Sequence, residues 1–210
     1  IVRTPAGGGG STESLVEGND TLLDIQGDLR PARSTVPTSW NPSTGDLAFF
    51  DNASDIWVRQ SDGSVSRFLD SDANERTGRF SPDGKWLAYV SDESGEYQVY
   101  VVPYPGPGAK LAVSIDGGLS PIWSPDGREL LFRKGGKVMS AAATYDPELS
   151  FAAPVELFEG PYTLDFMGHQ RWDVAPDGQR FLMVENSQDY RIVIVQNWFE
   201  ELERLAPKKR

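Results

Sequence analysis

His169 is the only histidine in a chain of 210 residues, and it sits in the segment Phe166-Met167-Gly168-His169-Gln170-Arg171. One imidazole can act as a general base, a metal ligand or a simple hydrogen-bonding group. The rest of the sequence narrows that choice. A hydrolytic triad needs a serine on a tight nucleophile turn, and the chain contains no Gly-x-Ser-x-Gly elbow. A zinc site built without cysteine needs several histidines or a carboxylate cluster, whereas this chain has one histidine and no cysteine. Phosphate-cradling Gly-x-x-x-x-Gly-Lys-Ser/Thr loops are missing, since Gly7 to Gly10 precede polar residues with no lysine. Paired carboxylates remain: Asp72, Glu75, Asp165 and Asp173 fall near strand starts, where two acids flanking a funnel could cleave glycosides. With 31 acidic against 20 basic residues, solvated loop acids are the simpler reading. The expectation is therefore a protein that is not an enzyme and holds neither cofactor nor metal.

The same charge balance bears on partners. A net charge of −11 repels phosphates, so nucleic-acid binding is not expected. No run of about 18 apolar residues occurs, so membrane insertion is not expected either. Disulfides and cysteine-ligated clusters are impossible without cysteine, which leaves either compartment open.

The elements that must position any site are marked by a recurring corner. Its copies are Asn41-Pro42-Ser43-Thr44-Gly45-Asp46, Ser81-Pro82-Asp83-Gly84, Ser124-Pro125-Asp126-Gly127 and Ala175-Pro176-Asp177-Gly178, with prolines 40, 43 and 51 residues apart. Proline presets φ, aspartate bonds its own backbone and glycine supplies the left-handed geometry of a tight turn between antiparallel strands. Each corner is followed by a short apolar run, such as Trp86-Leu87-Ala88-Tyr89-Val90, too short for a helix and without the 3.6 period. Such runs are strands packed on both faces. A period near 40 with turn punctuation predicts the blades of a β-propeller. The predicted blades span 37–70, 77–114, 120–159 and 171–197, and an insertion from Ala141 to Ala153 explains the longest step. Trp40, Phe80, Trp123 and Trp172 are expected to fill the wedges between blades.

Both ends depart from the repeat. Residues 1–36 are predicted to form a partial or irregular blade, so the ring is either incomplete or closed with five blades. Gly7 to Gly10 read as a flexible linker by composition and as a turn by position. Asn197-Trp198-Phe199-Glu200 has the form of a capping box, which predicts a short helix over 198–206.

The pattern Ser81 to Val90, followed by Ser91-Asp92-Glu93-Ser94-Gly95 and a Val-Tyr strand, resembles the TolB-like β-propeller repeat, a relative of WD repeats. The resemblance covers Val36 to Val195. The ending Ile194 to Leu202 resembles the C-terminus of propellers attached to bacterial serine/threonine protein kinases. Together they imply an all-β interaction or sensing module, often one domain of a longer protein, binding a protein or small ligand at its funnel face. An extracytoplasmic or periplasmic location goes with that resemblance, and a cytoplasmic one is not excluded by it. An open ring is also expected to leave the flank of its first blade apolar and prone to self-association. Two alternatives stand beside this reading: the gate of a prolyl-oligopeptidase-type hydrolase, and a five-bladed carbohydrate-active enzyme. The expected contacts lie in the loops Ser71 to Thr77, Asp116 to Ser120 and Thr163 to Arg171, which lead into inner strands. Their candidate ligand-binding residues are Asp72, Glu75, Arg76, Asp116, Asp165, His169 and Arg171.

Overall fold

The computed structural model describes residues 35–51, 55–69, 71–106, 108–164, 170–185 and 191–196, together with the backbone of four short strands before them. Those four form two separate antiparallel pairs, β1 (Val2–Arg3) with β2 (Glu13–Ser14) and β3 (Thr21–Leu23) with β4 (Leu29–Pro31). Two unconnected ladders are not the continuous sheet of a blade, so the partial blade expected over 1–36 is not established. No helix occurs among the described residues. The one expected over 198–206 lies outside them.

Four antiparallel sheets follow in chain order. The first runs β5 (Thr35–Trp40), β6 (Leu47–Asp51), β7 (Ile56–Arg59), β8 (Val65–Arg67), and the second runs β9 (Glu75–Phe80), β10 (Trp86–Ser91), β11 (Gln98–Pro103), β12 (Leu111–Ala112). The third contains β13 (Leu119–Trp123), β14 (Glu129–Lys134) and β15 (Lys137–Thr144); β16 (Ser150–Phe151) and β17 (Val155–Glu159) both pair with β15. The 141–153 insertion is thus an extension of β15 closed by β16. The fourth is β18 (Trp172–Val174), β19 (Arg180–Glu185), β20 (Arg191–Gln196). This is the predicted four-blade propeller arrangement.

Each corner is built as its residue types require. The Ser81 hydroxyl donates to Asp83 Oδ1 at 2.6 Å and accepts from Trp86 N at 3.0 Å, while Gly84 N donates to Ser81 O at 2.9 Å. Ser124, Asp126 and Glu129 repeat that network in the third blade. Gly45, Gly84, Gly127 and Gly178 all have φ between 70° and 77°, a region that L side chains enter only with strain.

The cores lie between blades. Leu87 and Tyr89 of β10 pack with Ala48, Ile56 and Val58 of the first blade, and Ala88 and Val90 pack with Trp123, Leu130 and Phe132 of the third. Successive residues of one strand face opposite neighbours, which is why the run is continuously apolar. Phe181 and Met183 pack with Leu131 and Val138 across the next seam. Full burial of one such side chain contributes about 1.5–3 kcal/mol, so the seams carry most of the stability. Phe80, Trp123 and Trp172 are buried in the seams as expected, but Trp40 is 47% exposed.

One flank differs from expectation. Phe49 and Trp57, on the first blade's side away from the second, are fully buried. The exposed apolar flank belongs instead to the fourth blade, where Leu182, Ile192 and Ile194 are 44%, 74% and 57% exposed. Phe181 and Met183 turn toward the third blade, so the alternation of β19 directs Leu182 the other way.

A second regularity affects the inner strands. In each of the first three blades the pairing of the first two strands shifts register, with one extra residue on β5, β9 and β13. In the second and third blades a non-glycine residue near the shift takes positive φ, Thr77 at 54° and Ser120 at 50°. Such a bulge re-aims the side chains that follow it.

Candidate functional site

The strand order gives the molecule two ends. The proline-aspartate-glycine corners lie at one end, and the loops leading into inner strands lie at the other with the turns between second and third strands. Asp92 ties the two kinds of loop together, since Asn74 N and Nδ2 donate to its carboxylate at 2.8 and 2.6 Å. These bonds hold the Asp92 carboxyl below its ordinary range.

A cavity of ≈ 370 Å³ opens where β9 and β18 approach the axis. Its polar wall is Arg79, Gln170, Arg171 and Asp173, and its apolar wall is Trp172, Leu182, Val184 and Ile192. Arg79 follows the bulge at Thr77 and Gly78, and its carbonyl is fixed by Trp123 Nε1 at 3.2 Å. Trp172 is fixed in the same way, donating to Ser120 O at 3.1 Å. The wall is therefore anchored to three successive blades. Within it, Arg79 Nε and both polar atoms of the Gln170 amide are buried without a hydrogen-bond partner. Buried polar groups are normally paired, and each orphan costs about 1–3 kcal/mol. Burial lowers the Arg79 pKa, and the Asp173 carboxylate acts against that shift. A guanidinium stays charged under such conditions. The cavity thus combines an unspent fixed cation, an amide able to donate and accept, and an apolar surface.

The residues proposed from sequence are distributed unevenly about this cavity. Arg171 lines it, whereas Asp72, Glu75, Arg76 and Asp116 do not. Asp165 and His169 lie outside the described residues. Asp72 is exposed, and Arg76 is half-buried with its guanidinium 5.6 Å from the Tyr97 ring centroid. Asp116 is exposed with φ of 54°, beside Gly117, whose N donates to Gln98 Oε1 at 3.2 Å.

Glu75 is buried between the first and second blades rather than presented to a ligand. It begins β9, accepts a hydrogen bond from the Ser71 hydroxyl through Oε1, and leaves Oε2 buried without a partner. Beside it Arg67 and Asp55 form an ion pair at 2.8 Å, both side chains over nine-tenths buried. Burial pushes the Glu75 carboxyl up to about 7, against the Ser71 hydrogen bond and the Arg67 charge.

Arg79 and Gln170 were not singled out from sequence. The signal available was a lone arginine between Gly78 and Phe80 in an otherwise packed inner strand.

The sheets stacked about an axis define the class: this is an all-β propeller with TolB-like blades. No family model matches the chain. TolB from Acinetobacter baumannii superposes with a TM-score of 0.63 at 18% identity, over 91% of this chain and 44% of that one. An oligogalacturonate lyase solved with manganese superposes with a TM-score of 0.51 at 13% identity, over 82% of this chain and 53% of that one. Over 82 residues the chain is 37% identical to an uncharacterized peptidase, YuxL, of Bacillus subtilis, covering 37% of this chain and 12% of that protein. The chain thus spans less than half of TolB and a small part of the peptidase.

These matches correct one expectation, that the chain is not an enzyme. The stretch shared with a protein named as a peptidase contradicts it, and the likeness to a lyase shows that such a fold is found in enzymes. The sequence argument asked only whether a nucleophile turn or a histidine pair lay within these residues. That question does not decide whether a protein carrying these blades is an enzyme. Among the described residues, no helix is long and apolar enough to cross a membrane.

Proposed function

We propose that the chain is a recognition propeller within a longer polypeptide, receiving a protein or small ligand at the end where loops lead into inner strands. The observation that carries this reading is the pairing of a cavity with unused hydrogen-bonding capacity, at Arg79 Nε and the Gln170 amide. Rigid blades position those groups, and loops supply the variable contacts around them. An extracytoplasmic location goes with the TolB-like resemblance.

The peptidase match favours a second reading, in which the propeller screens substrates for a hydrolase domain elsewhere in the polypeptide. The kinase-attached reading rests on the sequence Ile194 to Leu202 alone. The reading frame of the parent polypeptide separates them by the domain it encodes beside the blades.

A thermal-shift screen with small ligands and peptides tests which end binds. Compounds that raise the unfolding midpoint should lose their effect in Arg171→Ala and Asp116→Ala proteins. Hits indifferent to both changes but abolished by Asp83→Ala, at the corner end, would refute the reading.

A further inference from the structure

We propose that the cavity at Arg79 and Gln170 is a subsite for a carboxylate that adjoins an amide and carries an apolar side chain. The proposal rests on the recognition reading for the end of the molecule at which a ligand docks, and adds the chemistry recognised there. Arg79 supplies the anchor. Its guanidinium is a planar fork suited to a carboxylate, its Nε has no partner, and its own blade supplies no counterion within the cavity.

Charge selects a monoanion. Asp173 lines the same cavity and acts electrostatically on Arg79. A phosphate dianion would meet that carboxylate at close range, whereas one carboxylate balances the Arg79 and Arg171 charges against Asp173. The rest of a chain with net charge −11 repels small anions, so an unspent buried arginine stands out as the place where one is stabilised.

Gln170 adds direction. An amide with both its oxygen and its nitrogen unsatisfied can accept from one ligand N–H and donate to one ligand C=O, which is what a neighbouring peptide group offers. Leu182, Val184 and Ile192 form the opposite wall and suit an aliphatic side chain. The volume, ≈ 370 Å³, lies in the range of small-ligand sites. The chemistry described is shared by an N-acylated aliphatic amino acid and by the C-terminal residue of a peptide.

Calorimetric titration of the full chain with N-acetyl-leucine, N-acetyl-leucinamide, glycyl-glycyl-leucine and inorganic phosphate tests the assignment. N-acetyl-leucine should bind at least about tenfold more tightly than its amide, the ratio expected when a charge-assisted pair is lost. Arg79→Gln should bring that ratio to near one with far-UV circular dichroism unchanged, and Gln170→Leu should weaken the acid several-fold. Tighter binding of the tripeptide assigns the site to peptide termini, and tighter binding of the acylated amino acid assigns it to free metabolites; both support the carboxylate subsite. Equal affinity for acid and amide in the unaltered protein, no binding of either at about 10 mM, or phosphate binding more tightly than N-acetyl-leucine would overturn it, whether or not Arg79→Gln folds. If screened ligands instead follow the corner end while N-acetyl-leucine still depends on Arg79, the recognition reading fails and this subsite stands.

Discussion

Replacing Glu75 by glutamine should stabilise the protein at pH 8 and leave its stability almost unchanged at pH 5. The carboxyl lies buried with Oε2 unpartnered, and its pKa is raised from 4.5 to about 7 in the folded chain. Between those values the unfolded chain releases the Glu75 proton while the folded chain keeps it, so stability falls as pH rises through the window. Above about 7 the folded form is ionised too, and the full penalty is present. At 1.36 kcal/mol per unit the shift corresponds to about 3 kcal/mol at most, and screening at a seam near the surface reduces this to about 2 kcal/mol. Glutamine keeps an oxygen for the Ser71 hydroxyl and removes the buried charge, leaving the Arg67–Asp55 pair intact. A gain of about 2 kcal/mol moves the midpoint of a domain this size upward by about 4–8 °C. Urea unfolding of both proteins at pH 5, 6, 7 and 8 reads the difference directly. If the two curves stay parallel across that range, or if glutamine destabilises at pH 8, the carboxylate is held ionised by Arg67 and the burial argument is wrong.

Two further substitutions test the corners and the seams. Alanine at Gly45 meets only backbone strain at φ of 77°, since an added Cβ has open space, so the cost should be about 1 kcal/mol. At Gly84 the same φ strain is joined by a Cβ placed 2.3 Å from Asn41 Oδ1, and urea unfolding should show a loss of about 2–3 kcal/mol; equal losses at the two glycines would refute the close approach. Trp172→Phe keeps most of the buried ring area and removes the N–H donated to Ser120 O, so a loss of about 1–2 kcal/mol is expected, with a null effect in equilibrium unfolding showing that the seam does not depend on this bond.

The blades were readable in the sequence because their information is local. Proline, aspartate and glycine fix a corner without help from the rest of the chain, and Trp86 to Val90 announces burial on both faces by being apolar throughout. The site was less readable because its information is not local. Counting alternate residues back from Phe80 misplaces the earlier side chains of β9, since the extra residue near Thr77 and Gly78 reverses the alternation partway along the strand. Glu75 looked like a ligand contact because it precedes an inner strand; its burial comes from Arg67 and Asp55, contributed by the preceding blade. Gln170 gives no sign in isolation that its amide is enclosed, because the enclosing cavity takes Arg79 from one blade and Leu182 from another.

The first corner differs from the later ones in a way that makes the fan of blades unequally stiff. Asn41 reaches across to donate to Gly84 O at 2.9 Å and Ser43 to Asp83 O at 2.9 Å, so the first and second blades are riveted at their tips. Serine replaces asparagine in the next two corners and spends its hydroxyl inside its own turn, and gaps of ≈ 490 and ≈ 430 Å³ separate the tips of the second from the third and the third from the fourth. Any spreading of the array under load or on docking should therefore begin at the gaps flanking the third blade, with the first two turning as a single plate.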